Sequence, residues 1–136
     1  MKILFFILCM SITLGVAAEI VVVVHPSNNN PIAQADLESL FMVKKSTFAD
    51  GSKATAYYLT ADDAVRNQFD EKILGKSSGQ LKAYWSKLVF TGKGTPPLEF
   101  SNSAEAVAKV ATDPSAIAYV DKSAVTGAVK VAFTLP

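Results

Sequence analysis

Ile20-Val21-Val22-Val23-Val24, followed at once by His25-Pro26-Ser27-Asn28-Asn29-Asn30-Pro31, is the stretch whose reading decides the fold. An unbroken β-branched run is the pattern of a strand buried on both faces, as in a parallel sheet. The polar, proline-bounded segment behind it ends the strand and suits a strand-to-helix connection. Downstream, Leu37, Leu40 and Phe41 recur at helical spacing and predict a short helix over residues 33–42. Asp50-Gly51 signals a tight turn, and residues 54–59 read as a second strand.

Two helices with start signals follow. Thr60-Ala61-Asp62-Asp63 fits a capping pattern ahead of the apolar stripe Val65, Phe69 and Ile73, and Gly75 ends that helix. Ser77-Ser78-Gly79-Gln80 is a second capping box. It opens a helix whose apolar face is Leu81, Tyr84, Trp85, Leu88 and Val89. Asn102 with Glu105 starts a fourth helix, with Ala104, Val107, Ala108 and Ala111 assigned to its inner face. Residues 116–120 form another apolar strand, and Val129, Val131 and Phe133 alternate with polar residues in a last one. Strands alternating with helices predict an α/β domain, a mostly parallel sheet with flanking helices.

Outward from the first strand, toward the N-terminus, the pattern is that of an export signal. Lys2 supplies a positive start, residues 3–15 are an apolar run too short to span a bilayer, and Val16-Ala17-Ala18 places small residues at the cleavage positions. Residues 1–18 are therefore expected to be a cleavable signal peptide and residues 19–136 a single domain, exported to the periplasm. The only cysteine, Cys9, lies in the apolar run without the small residue before it that a lipoprotein signal requires. The exported part then has no thiol chemistry available. Removing Lys2 from the thirteen basic residues leaves twelve, against twelve acidic. A balanced chain with one arginine offers no electrostatic footprint for nucleic acid.

Catalytic signatures are absent from the sequence. His25 is the sole histidine, so a histidine-rich metal site is excluded, and no carboxylate spacing suggests a metal or a cofactor. No serine stands in a nucleophile elbow. Thr91-Gly92-Lys93-Gly94-Thr95 lacks phosphate-loop spacing and runs into Pro96-Pro97 where a helix would have to open. Asp62 and Asp63 read as first-turn acids that complement the helix dipole. Tyr57, Tyr58 and Trp85 occupy strand and helix-face positions typical of core aromatics. No enzyme is predicted.

Several segments taken in order carry a resemblance. They are Pro26-Ser27-Asn28, Leu40-Phe41 with Lys44, residues 48–53, Arg66-Asn67-Gln68-Phe69, Leu74-Gly75-Lys76, residues 80–87, residues 90–94 and residues 114–120. Together the series resembles the type II periplasmic solute-binding proteins of phosphate ABC transporters, over nearly all of residues 19–136 but only one of that family's two lobes. The resemblance implies one lobe of the periplasmic-binding-protein fold and a non-enzymatic role in transport. Its ligand would be phosphate or a similar oxyanion. The partner would be an inner-membrane ABC transporter, another envelope protein, or a second copy of the chain. The family holds phosphate with a serine-rich loop after a strand and a Ser-Gly-Thr segment at a helix start, often followed by arginine. Carried over, Ser27 and Asn28 fill the loop, Arg66 takes the arginine's place, and Thr60 completes the candidate ligand set. Asp63, Ala64 and Val65 stand where Ser-Gly-Thr would be, and Val43 replaces the family's glycine before the lysine at the end of the first helix. A carboxylate and missing hydroxyls at that point imply weak anion binding. The alternative is a non-enzymatic interaction module that reuses one solute-binding lobe to dock on an envelope partner.

Overall fold

The computed structural model describes residues 19–136; residues 1–18, where a signal peptide is expected, lie outside the described residues. The elements are β1 (Ile20–Val24), α1 (Gln34–Phe41), β2 (Thr55–Leu59), α2 (Ala64–Phe69), α3 (Ser78–Phe90), β3 (Glu99–Phe100), α4 (Ser103–Thr112), β4 (Ala116–Asp121) and β5 (Lys130–Thr134). The five strands form one sheet in the order β3-β2-β4-β1-β5.

The architecture is α/β, and β2 runs parallel to both β3 and β4. β1 is buried on both faces, as its β-branched run requires, yet it pairs antiparallel with β4 on one side and β5 on the other. Four strands thus point one way and β1 alone points back. The reversal places the end of β1 at the start of its neighbours: Val24 faces Ile117, Ile20 faces Asp121, and Thr55 begins β2 beside Ala116.

Asp63 caps α2, its Oδ1 accepting from the Val65 N–H at 2.8 Å, so the cap stands three residues later than the Thr60 start predicted from sequence. Asp70–Leu74 continues α2 as a π-helical segment, and Gly75 ends it with φ of 63°. Ser77 and Gln80 close the expected capping box on α3, at 3.3 Å and 2.9 Å. Asn102 caps α4 through the Glu105 N–H at 2.9 Å.

Two helix faces differ from the periodicity reading. On α3, Leu81 and Trp85 are buried and Tyr84 and Leu88 half-buried, but Val89 is exposed. On α4 the buried set is Ala106, Val107 and Val110, while Ala104 and Ala108 face out. Alanine spacing misleads there because alanine is apolar enough for either face. The two-residue strand β3 carries too few residues for any periodicity to show. Inside, Phe69 stacks on Tyr119 with ring centroids 4.0 Å apart, and Phe41 meets Phe69 edge-on at 4.8 Å. Trp85 joins this aromatic core edge-on to Tyr58.

Candidate functional site

The antiparallel course of β1 decides how the four candidate residues relate. Ser27 and Asn28 follow the end of β1 and therefore sit where β2 and β4 begin. Thr60 and Arg66 follow the far end of β2. The five residues of β2 alone span about 17 Å. The sheet thus holds the two pairs at opposite ends, and no single clasp is formed from all four.

At the Ser27 end, the chain makes a recess of about 480 Å³ lined by Ser27, Asn28, Asn29, Asn30, Asp50 and Ser52 among others. His25 Nδ1 lies 2.7 Å from Ser27 Oγ, giving the lone histidine a local turn-forming role. Asn28 is buried; its Oδ1 accepts from the Asn30 N–H at 2.9 Å and from Asn30 Nδ2 at 2.8 Å. Lys130 Nζ donates to the Asn28 carbonyl at 2.7 Å and tethers β5 to this loop. Asn30 Oδ1 in turn accepts from the Asp50 N–H at 3.0 Å. Hydrogen bonds from the Ser52 hydroxyl and N–H hold the Asp50 carboxyl below the usual carboxylate range. A negative charge therefore borders the recess. Asn28 Nδ2 is buried with no partner among the described residues.

At the other end, Arg66 is buried, with 5% of its surface exposed. Nε donates to Asp70 Oδ2 at 3.1 Å, and Nη1 donates to the Leu59 carbonyl at 2.8 Å and to Glu99 Oε1 at 2.9 Å. The guanidinium also lies over the Tyr58 ring, 4.9 Å from its centroid. Burial presses against its charge, but the Tyr119 hydroxyl and the Glu99 and Asp70 carboxylates outweigh that, leaving its pKa above the ordinary value. Asp70 is still more buried, and burial, with the Glu99 charge, raises its pKa despite the Arg66 charge and hydrogen bond; its Oδ1 has no partner among the described residues. Thr60 turns its hydroxyl to Asp62, holding that carboxyl below its ordinary value. One cation thus faces two carboxylates in direct contact.

The Arg66-x-x-x-Asp70 spacing is a helical ion-pair signal that was present in the sequence. Glu99 was not accessible that way, since only the β2–β3 pairing of Leu59 with Phe100 brings it to Arg66. Asp63, Ala64 and Val65 have structural positions: the cap, an exposed first turn and a core contact. Among the described residues no group of histidine, cysteine, aspartate or glutamate side chains is arranged to hold a metal ion.

Neither a protein-family model nor a curated protein sequence matches the chain. Solved structures do. An ABC-type phosphate transport receptor from Vibrio cholerae superposes with a TM-score of 0.65 at 14% identity, over 84% of this chain and 45% of the receptor. The fold is that of one receptor lobe. A protein from Clostridium perfringens assigned as a phosphate ABC transporter substrate-binding protein, with phosphate bound, gives 0.63 at 15% identity, over 84% and 44%. PstS from Borrelia burgdorferi gives 0.63 at 9%, over 84% and 46%. The lobe spans a little under half the length of each. Among its described residues no helix is long and apolar enough to cross a membrane.

Proposed function

We propose that this receptor lobe is an exported, non-enzymatic module that docks on the cell envelope and does not clasp phosphate. The supporting observation is the state of Arg66. The only arginine in the chain is buried, with Nε bonded to Asp70 and Nη1 bonded to Glu99 and the Leu59 carbonyl, so that only Nη2 is without a partner among the described residues. A cation already bonded to two carboxylates attracts a further anion poorly, and withdrawing it would leave Asp70 uncompensated in the interior. The recess at the opposite end carries Asp50, which opposes an anion there as well. Export rests on the residue 1–18 pattern, with the exported protein beginning at Glu19.

Weak binding of phosphate or a similar oxyanion is the second reading, favoured by the likeness to the phosphate-bound Clostridium structure. Under it, the unpartnered Asn28 Nδ2 would supply a donor, with Ser27 beside it and Thr60 and Arg66 excluded by distance. Calorimetric titration of phosphate into residues 19–136 separates the two. Docking without phosphate predicts no saturable heat at millimolar phosphate. Saturable binding lost in Asn28→Ala would favour the second reading. Mass spectrometry of the protein recovered from a periplasm tests export: retention of the Cys9 segment would contradict it.

A further inference from the structure

Five large apolar side chains stand exposed among the described residues: Val43, Val89, Phe90, Leu98 and Val131. Val131 is on β5, at one edge of the sheet. The other four gather at the opposite side, about the loop of residues 91–98 that leads into the edge strand β3. Pro96 is the ridge between two depressions there. One, of about 790 Å³, is bounded by Val89, Phe90, Trp85 and Lys82, with the Arg66–Glu99 pair in its lining; the other, of about 290 Å³, by Val43, Leu98, Lys45 and Lys53. Phe90 ends α3 with 92% of its surface exposed, and Leu98 has 69% exposed.

Lysines predominate around this ridge, and the acid lining it, Glu99, is paired with Arg66. From Lys72 to Leu98 the sequence contains no acidic residue, and Lys87 and Lys93 flank Phe90. Lys45, Lys53, Lys82, Lys87 and Lys93 are all exposed and make no ion pair among the described residues. The nearby acids are already engaged: Glu38 with Lys44 at 3.0 Å and Glu99 with Arg66 at 2.9 Å. Val43, the one non-glycine residue at positive φ (54°) among the described residues, ends α1 in a left-handed conformation held by the bonds from its own N–H to the Leu40 carbonyl and from the Lys44 N–H to the Ser39 carbonyl, and its side chain is left exposed on this surface.

We propose that the 91–98 ridge, with Phe90 and Leu98 at its flanks, is a docking face for a lipid bilayer surface carrying anionic headgroups. The proposal deepens the docking role above and rests on it. Exposed apolar side chains ringed by lysines suit the interface, where the apolar groups enter the acyl boundary and the ammonium groups meet headgroup charge. A second copy of the chain is disfavoured, because two such faces would set lysines against lysines. A peptide seated in one depression would leave the other side of Pro96 unused, whereas a broad surface meets both sides of the ridge.

The test is co-sedimentation of residues 19–136, which hold every described element, with two kinds of vesicle. One is phosphatidylcholine alone; the other is phosphatidylcholine and phosphatidylglycerol in equal parts. The protein is expected to sediment with the anionic vesicles only and to be released by raised salt. Phe90→Ser with Leu98→Ser should weaken binding about tenfold or more, as expected for two lost interfacial anchors. Lys87→Glu with Lys93→Glu should remove the preference for anionic vesicles, with circular dichroism confirming the fold of each variant. No binding to either vesicle, equal binding to both, or binding indifferent to the Phe90 and Leu98 changes overturns the proposal. A partner protein that needs Phe90 when no vesicle is bound overturns the lipid assignment but leaves the docking role standing. Tight phosphate binding, measured separately, is the result that removes the docking role itself.

Discussion

The two ends of the sheet use their polar side chains differently. At the far end of β2, Arg66 is buried against the Tyr58 ring and paired with Asp70 and Glu99. At the end of β1, Asn28, Asn30 and Lys130 tie two loops and the start of β5 together around an open recess. At both ends these polar side chains serve as ties within the fold. What separates the ends is charge: a buried guanidinium demands carboxylate partners, whereas the almost equally buried Asn28 amide is held by neutral hydrogen bonds.

The largest effect that sharpens this contrast is loss of Arg66. Arg66→Ala should destabilise the fold by about 3–5 kcal/mol, the range for stripping one partner from a buried pair. Urea unfolding of the wild type and the variant measures it. A cost below that of Asn28→Ala would show that the Arg66 end is open to solvent.

Alkaline unfolding comes next. Burial and the Asp113 carboxylate push the Tyr57 phenol up to about 12, and burial pushes Tyr58 and Tyr119 higher still. A phenol whose folded pKa is raised contributes stability that is complete below its ordinary value of 10.0 and lost as pH rises above it. Tyrosinate absorbance should therefore lag behind that of a free phenol until the fold gives way. Full ionisation of all four tyrosines near pH 10 in a folded protein would contradict the burial of this end.

Asn28→Ala should cost about 1–2 kcal/mol, since it removes the acceptor of two hydrogen bonds at the rim. The smallest effect is a gain. Val43→Gly should stabilise by about 0.5–1 kcal/mol, relief of left-handed strain exceeding the entropy a glycine adds to the unfolded chain. Thermal melts resolve both, and a loss in Val43→Gly would mean that the Val43 side chain packs within the lobe.

Much of this fold was legible in the sequence, because its signals are local. The β-branched run fixes β1, and Ser77 with Gln80 and Asn102 with Glu105 mark two helix starts through bonds to residues three positions away. The direction of β1 is not local. It depends on which strands it meets, and a strand buried on both faces reads the same whether its neighbours run with it or against it. That one fact moved Ser27 and Asn28 to the opposite end from Thr60 and Arg66. The fate of Arg66 was half legible: Asp70 lies one helical turn on, while Glu99 arrives only through β3. Exposed Phe90, the last residue of α3, was hidden because an apolar residue on a helix predicts core until its neighbours are known.

Because Arg66 is the only arginine, the protein has a single arginine Nε–H, and that proton is the most direct witness to whether the guanidinium serves the fold or a ligand. Proton–nitrogen correlation spectra of the labelled protein, recorded while phosphate is added, would follow it. The account predicts a well-resolved, solvent-protected signal from the bond to Asp70 that does not move as phosphate reaches millimolar concentration. A saturable shift of that signal, with protection lost or gained in step with phosphate, would contradict it.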